Sequence, residues 1–302
     1  MDDKLLAASA KSAIVPGQTY KYGTAGFRMK ADLLPVVSFR VGLLAGLRSR
    51  KLNGQAIGVM ITASHNPAAD NGVKIVDPMG EMLEQDWEAF ATRLVNAPSD
   101  QKLLEDYKAL AAQLGIDLNA PGRVVYGRDT RPSGHGLVVA LAAALDATGI
   151  EHTDYKILTT PQLHYLTRCV NTEGTPKSYG QTSEAGYYQK FSDAFVRALR
   201  GRKVQGQLQV DCANGVGGPK FSEMLKVIPK DVTGFDVKVV NDDVLRPEVL
   251  NLEVCPADPQ LLPKVTVLTE PVRCRLRQDQ AASPPEPEAR PRPALLLLRR
   301  RR

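Results

Sequence analysis

No stretch of the 302 residues approaches the roughly 18 consecutive apolar residues that a membrane-spanning helix needs. The N-terminal MDDKLLAASAKSAIVPG carries acidic residues where a secretory leader would carry basic ones. The expectation is a cytoplasmic protein with no membrane contact. Cysteine is also scarce. Cys169, Cys212, Cys255 and Cys274 are scattered, with no CxxC pair and no His at metal-binding spacing, so reduced thiols are expected. Excess charge is lacking from most of the chain too. The formal net charge of +6 comes wholly from residues 271–302, which hold nine Arg and three acidic residues, whereas residues 1–270 balance at thirty basic and thirty acidic. No specific nucleic-acid partner is expected for the neutral part, and any attraction to polyanions concerns only the last thirty residues.

What remains is an ordinary globular composition, 43% hydrophobic and 24% charged, in a chain long enough for two domains plus a tail. Strand-like runs recur at AIGVMITA, VKIV, RVVYG, YKILTT, QLQVDCA and FDVKVV. Helical spacing marks PVVSFRVGLLAGLRSR, EMLEQDWEAFATRLVNA, GLVVALAAALDATG and SEAGYYQKFSDAFVRALRG. The alternation predicts an α/β fold with mixed or parallel sheets under helical cover. The polar segment from Asn171 to Gly186 has no apolar periodicity and is placed as the boundary. The expected organisation is a first domain over residues 1–180, a partial second α/β domain over 181–265, and a disordered basic Pro/Arg-rich tail over 266–302.

One motif stops a buried-looking strand abruptly: GVMITASHNPAADNGVKIV, Gly58 to Val76. A serine on a tight turn directly after a strand is held exposed at a fixed place, because the strand anchors its backbone and Pro67 limits the exit. Its hydroxyl is a weak nucleophile alone. His65, Asn66 and Lys74 can supply an acid/base group, a hydrogen bond and a positive charge, a set that suits phosphate better than acyl chemistry. The plainer alternative is a turn built from its preferred residues. YGTAGFR, Tyr22 to Arg28, reads as a glycine-flanked loop ending in an arginine, and GRDTRPSG, Gly127 to Gly134, reads as a strand-to-helix turn.

Together these motifs resemble the α-D-phosphohexomutase superfamily. Their order, GTAGFR, then TASHNP, then GRDTR, with TTPQLHY and EAGYYQKF beyond, resembles the phosphoacetylglucosamine mutase family within it. The resemblance covers about Tyr20 to Val254. It implies a phosphohexomutase-type mixed-sheet domain followed by a partial second α/β domain. It further implies interconversion of N-acetylglucosamine 6-phosphate and N-acetylglucosamine 1-phosphate through a phosphoserine at Ser64, on the way to UDP-N-acetylglucosamine. Mg²⁺ would be the cofactor, bound by an oxygen of phosphorylated Ser64. Arg28, His65 and Lys74 would be the other catalytic residues, His65 and Lys74 in proton transfer or charge stabilisation without a choice between them. A phosphosugar is the implied partner, and the oligomeric state is left open. The GRDTR turn is expected to brace the site through an internal Asp–Arg pair, and DCANGVGG, Asp211 to Gly218, to serve packing.

The family's DGDxDR metal loop has no counterpart here; NDDV, Asn241 to Val244, lacks its glycine, its arginine and its spacing. A phosphoserine without those carboxylates should hold Mg²⁺ poorly, so little or no mutase activity is expected of the chain alone. The resemblance ends near LNLEVCPADPQ, and the Arg/Pro/Leu bias that follows is what a shifted reading frame or intron read-through would produce. A truncated or mis-predicted gene product is therefore expected. The rival expectation is a binding or regulatory fragment whose LLLLRRRR tail is attracted to acidic surfaces.

Overall fold

The computed structural model describes residues 1–12, 14–23 and 26–252. Strands β1 (Phe27–Lys30), β2 (Ala56–Ile61), β3 (Asp70–Val76), β4 (Arg123–Arg128) and β5 (Glu151–Ile157) form one sheet in the order β1-β3-β2-β4-β5. The β1/β3 and β3/β2 pairs are antiparallel, and β2/β4 and β4/β5 are parallel. This mixed sheet follows from connection length: β2 returns into β3 through the short serine turn, whereas the parallel pairs are joined by helical crossovers.

Alternation along β2 explains its complete burial. Ile57, Val59 and Ile61 enter the core on one face of the sheet, and Ala56 and Met60 enter the core on the other. In β4, Val124 and Tyr126 join the first core and Val125 the second. Helices α1 (Asp2–Ser9), α2 (Pro35–Lys51), α3 (Asp86–Val95), α4 (Asp100–Gln113) and α5 (Gly134–Thr148) contribute to the first core, and α6 (Thr160–Thr172) covers the other face. Helices α2 and α5 approach closely because α2 carries Gly42. A Cβ built there would lie 3.0 Å from both the Ala144 Cβ and the Leu141 carbonyl oxygen. The buried Arg48 of α2 is neutralised bidentately by Asp77, at 3.0 and 2.7 Å, and also donates to Glu84 at 2.8 Å.

Helix α7 (Glu184–Leu199) leads to a second sheet of two parallel strands, β6 (Gln207–Asp211) and β7 (Asp236–Val240), with α8 (Gly217–Val227) and α9 (Lys230–Thr233) between them. All described residues belong to one compact unit. Among them no helix is long and apolar enough to cross a membrane.

Three local readings are corrected. Arg28 lies in β1 rather than in a loop, because Phe27–Lys30 pairs along its length with Asp70–Val73. The strand read at YKILTT ends at Ile157, since Thr159 accepts and donates in a capping box with Gln162 and opens α6. Helix α3 starts only at Asp86, later than the EMLEQ run suggested. The expected tail over 266–302, and with it Cys255 and Cys274, lies outside the described residues.

Candidate active site at the serine turn

The turn begins where β2 ends. Ser64 has φ +57°, a left-handed conformation that side-chain-bearing residues rarely adopt, and its side chain is exposed. Two layers of hydrogen bonds hold it. Below, the Ser64 amide donates to Thr62 Oγ1 at 3.0 Å, and Thr62 Oγ1 donates to Asp129 Oδ2 at 2.6 Å. Asp129 is ion-paired with Arg131, both almost wholly buried. Beside the turn, Arg131 Nη2 donates to the carbonyls of Ser64, 3.1 Å, and Asn66, 2.6 Å. The GRDTR turn thus grips the serine turn through the Asp–Arg pair and through two backbone carbonyls. Such a network offsets much of the cost of burying both charges, although the Arg131 Nε is left buried without a partner.

The sheet register places the cations. Lys74 on β3 faces Met60 of β2 across the pair, and Arg28 on β1 faces Gly72, two residues before Lys74. Alternation therefore puts Arg28 and Lys74 on the same side of the sheet. Gly72 is required there: an added Cβ would lie 2.7 Å from the Thr62 carbonyl oxygen and 2.9 Å from that of Phe27. Burial holds the Lys74 ammonium below its usual pKa, and the positive charges of Arg28 and Arg131 push the same way, opposed by Asp129. Arg28 Nη1 reaches Asn66 Oδ1 at 3.4 Å, and Asn66 Nδ2 donates to Asp70 Oδ2 at 3.1 Å. The Asp70 carboxyl is held below the usual carboxylate range, first by the hydrogen bond from Lys30.

Lys74 thus lies within electrostatic reach of Arg28 and of Arg131, whose guanidinium holds the Ser64 carbonyl. His65 is exposed and lines a cavity of about 560 Å³ with Asn66, Pro67, Ala68 and the segment from Pro247 to Leu252. Sequence reasoning missed Thr62 and Asn251. Thr62 is signalled by nothing beyond its place two residues before the serine. Asn251 Nδ2 donates to the carbonyls of Ser64 at 2.9 Å and Asn66 at 2.8 Å, from 187 residues away in the case of Ser64.

Chemically, a fixed hydroxyl among cationic donors suits a phosphoryl group, whose charge the arginine and lysine can balance. It is a poor place for a bare cation. Among the described residues no group of three or more His, Cys, Asp or Glu can hold a metal ion. Asp129 and Asp70 are occupied by Arg131 and Lys30. In the NDDV cluster, Asp243 accepts from the Leu245 amide and from Arg246, and Asp242 packs over Gly218.

Residues 33–102 and 94–175 match the phosphoglucomutase/phosphomannomutase alpha/beta/alpha domain I family, and residues 177–266 match domain II of phosphoacetylglucosamine mutase AMG1. The phosphoacetylglucosamine mutase of Sus scrofa is 46% identical over 244 residues, which are 80% of this chain and 44% of that protein. The crystal structure of Aspergillus fumigatus N-acetylphosphoglucosamine mutase in complex with GlcNAc-6P and magnesium is 57% identical, with a TM-score of 0.78 over 83% of this chain and 46% of that one. A serine-to-alanine variant of the Aspergillus fumigatus protein, in complex with glucose 1,6-bisphosphate, is 56% identical, with a TM-score of 0.81 over 83% of this chain and 46% of that one. The chain spans 42–46% of the length of the curated relatives it matches.

Proposed function

The chain belongs to the phosphoacetylglucosamine mutase family, of whose members it spans less than half the length, and from that premise we propose that Ser64 is the residue that carries the phosphoryl group. Phosphorylated Ser64 transfers its group to the free hydroxyl of an N-acetylglucosamine monophosphate. The Ser64 Oγ–P bond breaks, a bond forms from phosphorus to the sugar oxygen, and the hydroxyl proton passes to a base. The resulting bisphosphate turns over and returns its other phosphate to Ser64, so that N-acetylglucosamine 6-phosphate becomes N-acetylglucosamine 1-phosphate.

The observation that carries this reading is the left-handed, exposed Ser64 whose backbone is fixed on both sides while Lys74 and Arg28 share one face of the sheet. A fixed nucleophile reduces the entropy lost on reaching an in-line geometry. Arg28 and Lys74 balance charge on the moving group. Lys74, whose pKa burial lowers, gives up a proton more readily than an ordinary lysine. His65, exposed and lining the cavity, is the alternative proton carrier.

Magnesium is the family's cation and was crystallised with the Aspergillus fumigatus protein. The described residues do not fit it unaided, since the site is cationic and its carboxylates are paired. Phosphorylated Ser64 would contribute one oxygen to the ion, and the remaining donors would have to come from outside the described residues. When bound, the ion neutralises charge on the phosphoryl group. The substrate proposed is a phosphosugar, and the compartment proposed is the cytoplasm, in keeping with the free thiols of Cys169 and Cys212.

The test is a coupled assay for N-acetylglucosamine 1-phosphate formed from the 6-phosphate, run on this chain and on one extended through a DGDxDR loop. The chain alone is expected to show little or no turnover and the extended protein to be active. Ser64→Ala should lower the extended protein's rate by at least about 10³-fold, as expected for loss of the group that carries the reaction. Full activity of that variant would remove Ser64 from the mechanism.

A further inference from the structure

The DCANG turn was expected only to pack, yet its contacts lead to the serine. Ala213 and Asn214 both have left-handed backbones, φ +50° and +55°. That geometry aims the Asn214 amide at the Asn241 carbonyl and the Ala213 carbonyl at the Asn251 amide, 2.6 and 2.9 Å. The Asn214 side chain accepts from the Asp243 amide at 3.2 Å. Leu250, 6% exposed, is seated against Gly215. The end of the second sheet thereby fixes Asn251, itself left-handed at φ +55°, with its carboxamide toward the first domain.

There Asn251 Nδ2 donates to the same two carbonyls, Ser64 and Asn66, that Arg131 Nη2 holds. Each carbonyl oxygen has two lone pairs, so the two donors do not compete. Arg131 comes from the same sheet unit as the serine turn, whereas Asn251 is carried by the turn at the end of the second sheet.

We propose that Asn251 is a positioning residue for the Ser64 turn, carried by the Asp211–Gly215 turn, so that docking of the second sheet completes the fixation of the nucleophile. The proposal rests on Ser64 as the phosphoryl carrier only for its effect on rate. The clamp itself has a readout that needs no chemistry.

Amide exchange of the Ala63–Asn66 stretch in the full 302-residue chain is that readout. Asn251→Gly keeps the left-handed backbone and removes the donor; Asn251→Asp keeps the size and turns the donor into an acceptor facing two carbonyls. Both should accelerate exchange in the turn about tenfold while β2 stays unchanged, with Asp at least as damaging as Gly. A packing role predicts the reverse order, with Asp tolerated. That reverse order, or unchanged exchange in both variants, would overturn the clamp. A second readout, in the protein extended through a DGDxDR loop, is transfer of phosphate to Ser64 from glucose 1,6-bisphosphate, followed by intact mass. Asn251→Gly should lower the maximal rate about tenfold and leave the half-saturating concentration unchanged. A shift in half-saturation alone would count against a positioning role. An extended wild-type protein that takes up no phosphate overturns the reading of Ser64, and the exchange order in the 302-residue chain then decides the clamp by itself.

Discussion

The two sheets solve the same problem to different degrees. In the five-stranded sheet both faces are covered, and all six residues of β2 are buried. In the two-stranded sheet no residue of β6 or β7 is buried, although Leu208, Val210, Val237, Val239 and Val240 are apolar. The strands differ in sequence, β2 being apolar throughout whereas β6 alternates polar and apolar residues, and they differ in what packs on them. A two-stranded sheet cannot make an independent core, and its stability is borrowed from α7, α8 and the contacts with the first domain. The region that delivers Asn251 is therefore the less stable one.

The largest consequence is kinetic. Amides of β6 should exchange on the order of 10³-fold faster than amides of β2, because local opening of the second sheet exposes little apolar surface. Equal protection of the two strands, measured by hydrogen exchange, would break the comparison.

Next come the ion pairs that tie each region. Arg48→Ala leaves Asp77 buried at 3% exposure without its bidentate partner, and a loss of about 3–5 kcal/mol is expected in urea unfolding. Lys220 of α8 donates to Glu184 Oε2, which also accepts from Gln162 and Tyr188. The Lys220 and Glu184 side chains are 17% and 36% exposed, against 8% and 4% for Arg48 and Asp77, so Lys220→Met should cost less, about 1 kcal/mol. The cost should appear as faster exchange in β6 and α8, with β2 unaffected. A loss as large as that of Arg48→Ala would show that the second sheet is as tightly built as the first.

The same contrast governs how much could be read from sequence. AIGVMITA announced β2 because a run buried on both faces is apolar throughout, and the GRDTR brace was legible because Asp129 and Arg131 are local partners. FRMK gave no such signal. Its burial alternates, Arg28 and Lys30 are exposed, and only pairing with β3 makes it a strand. Helix α4 was missed in DQKLLEDYKALAAQ although Ser99 caps it, because charged residues interrupt its apolar face. At the site, Ser64, Lys74 and Arg28 stood in recognisable motifs. Asn251 did not, since its role depends on left-handed turns at Ala213 and Asn214 and on the docking of a different sheet, none of which has a local pattern.

The smallest expected effect concerns Lys74, and its sign is fixed by the direction of its shift. Burial and the charge of Arg28 lower its folded pKa below the usual 10.5. Between the folded value and 10.5 the unfolded chain holds the proton and the folded chain has released it, so this group makes stability rise with pH across that window. Below the window both states are protonated and the penalty is constant. Lys74→Met removes the penalty and should stabilise the protein at pH 7, by no more than about 1 kcal/mol. Tyr22 and Tyr126, both pushed up to about 12 mainly by burial, act in the opposite sense above pH 10, because the folded chain keeps their protons. The wild-type profile is therefore a sum, and the difference between wild type and Lys74→Met isolates the lysine. That difference should shrink as pH rises towards 10.5, and a phosphate on Ser64 should shrink it already at neutral pH, because a nearby dianion favours the ammonium. Melting curves of both proteins with and without Ser64 phosphorylation provide the check. A difference unaffected by phosphate would place Lys74 out of electrostatic reach of the transferred group.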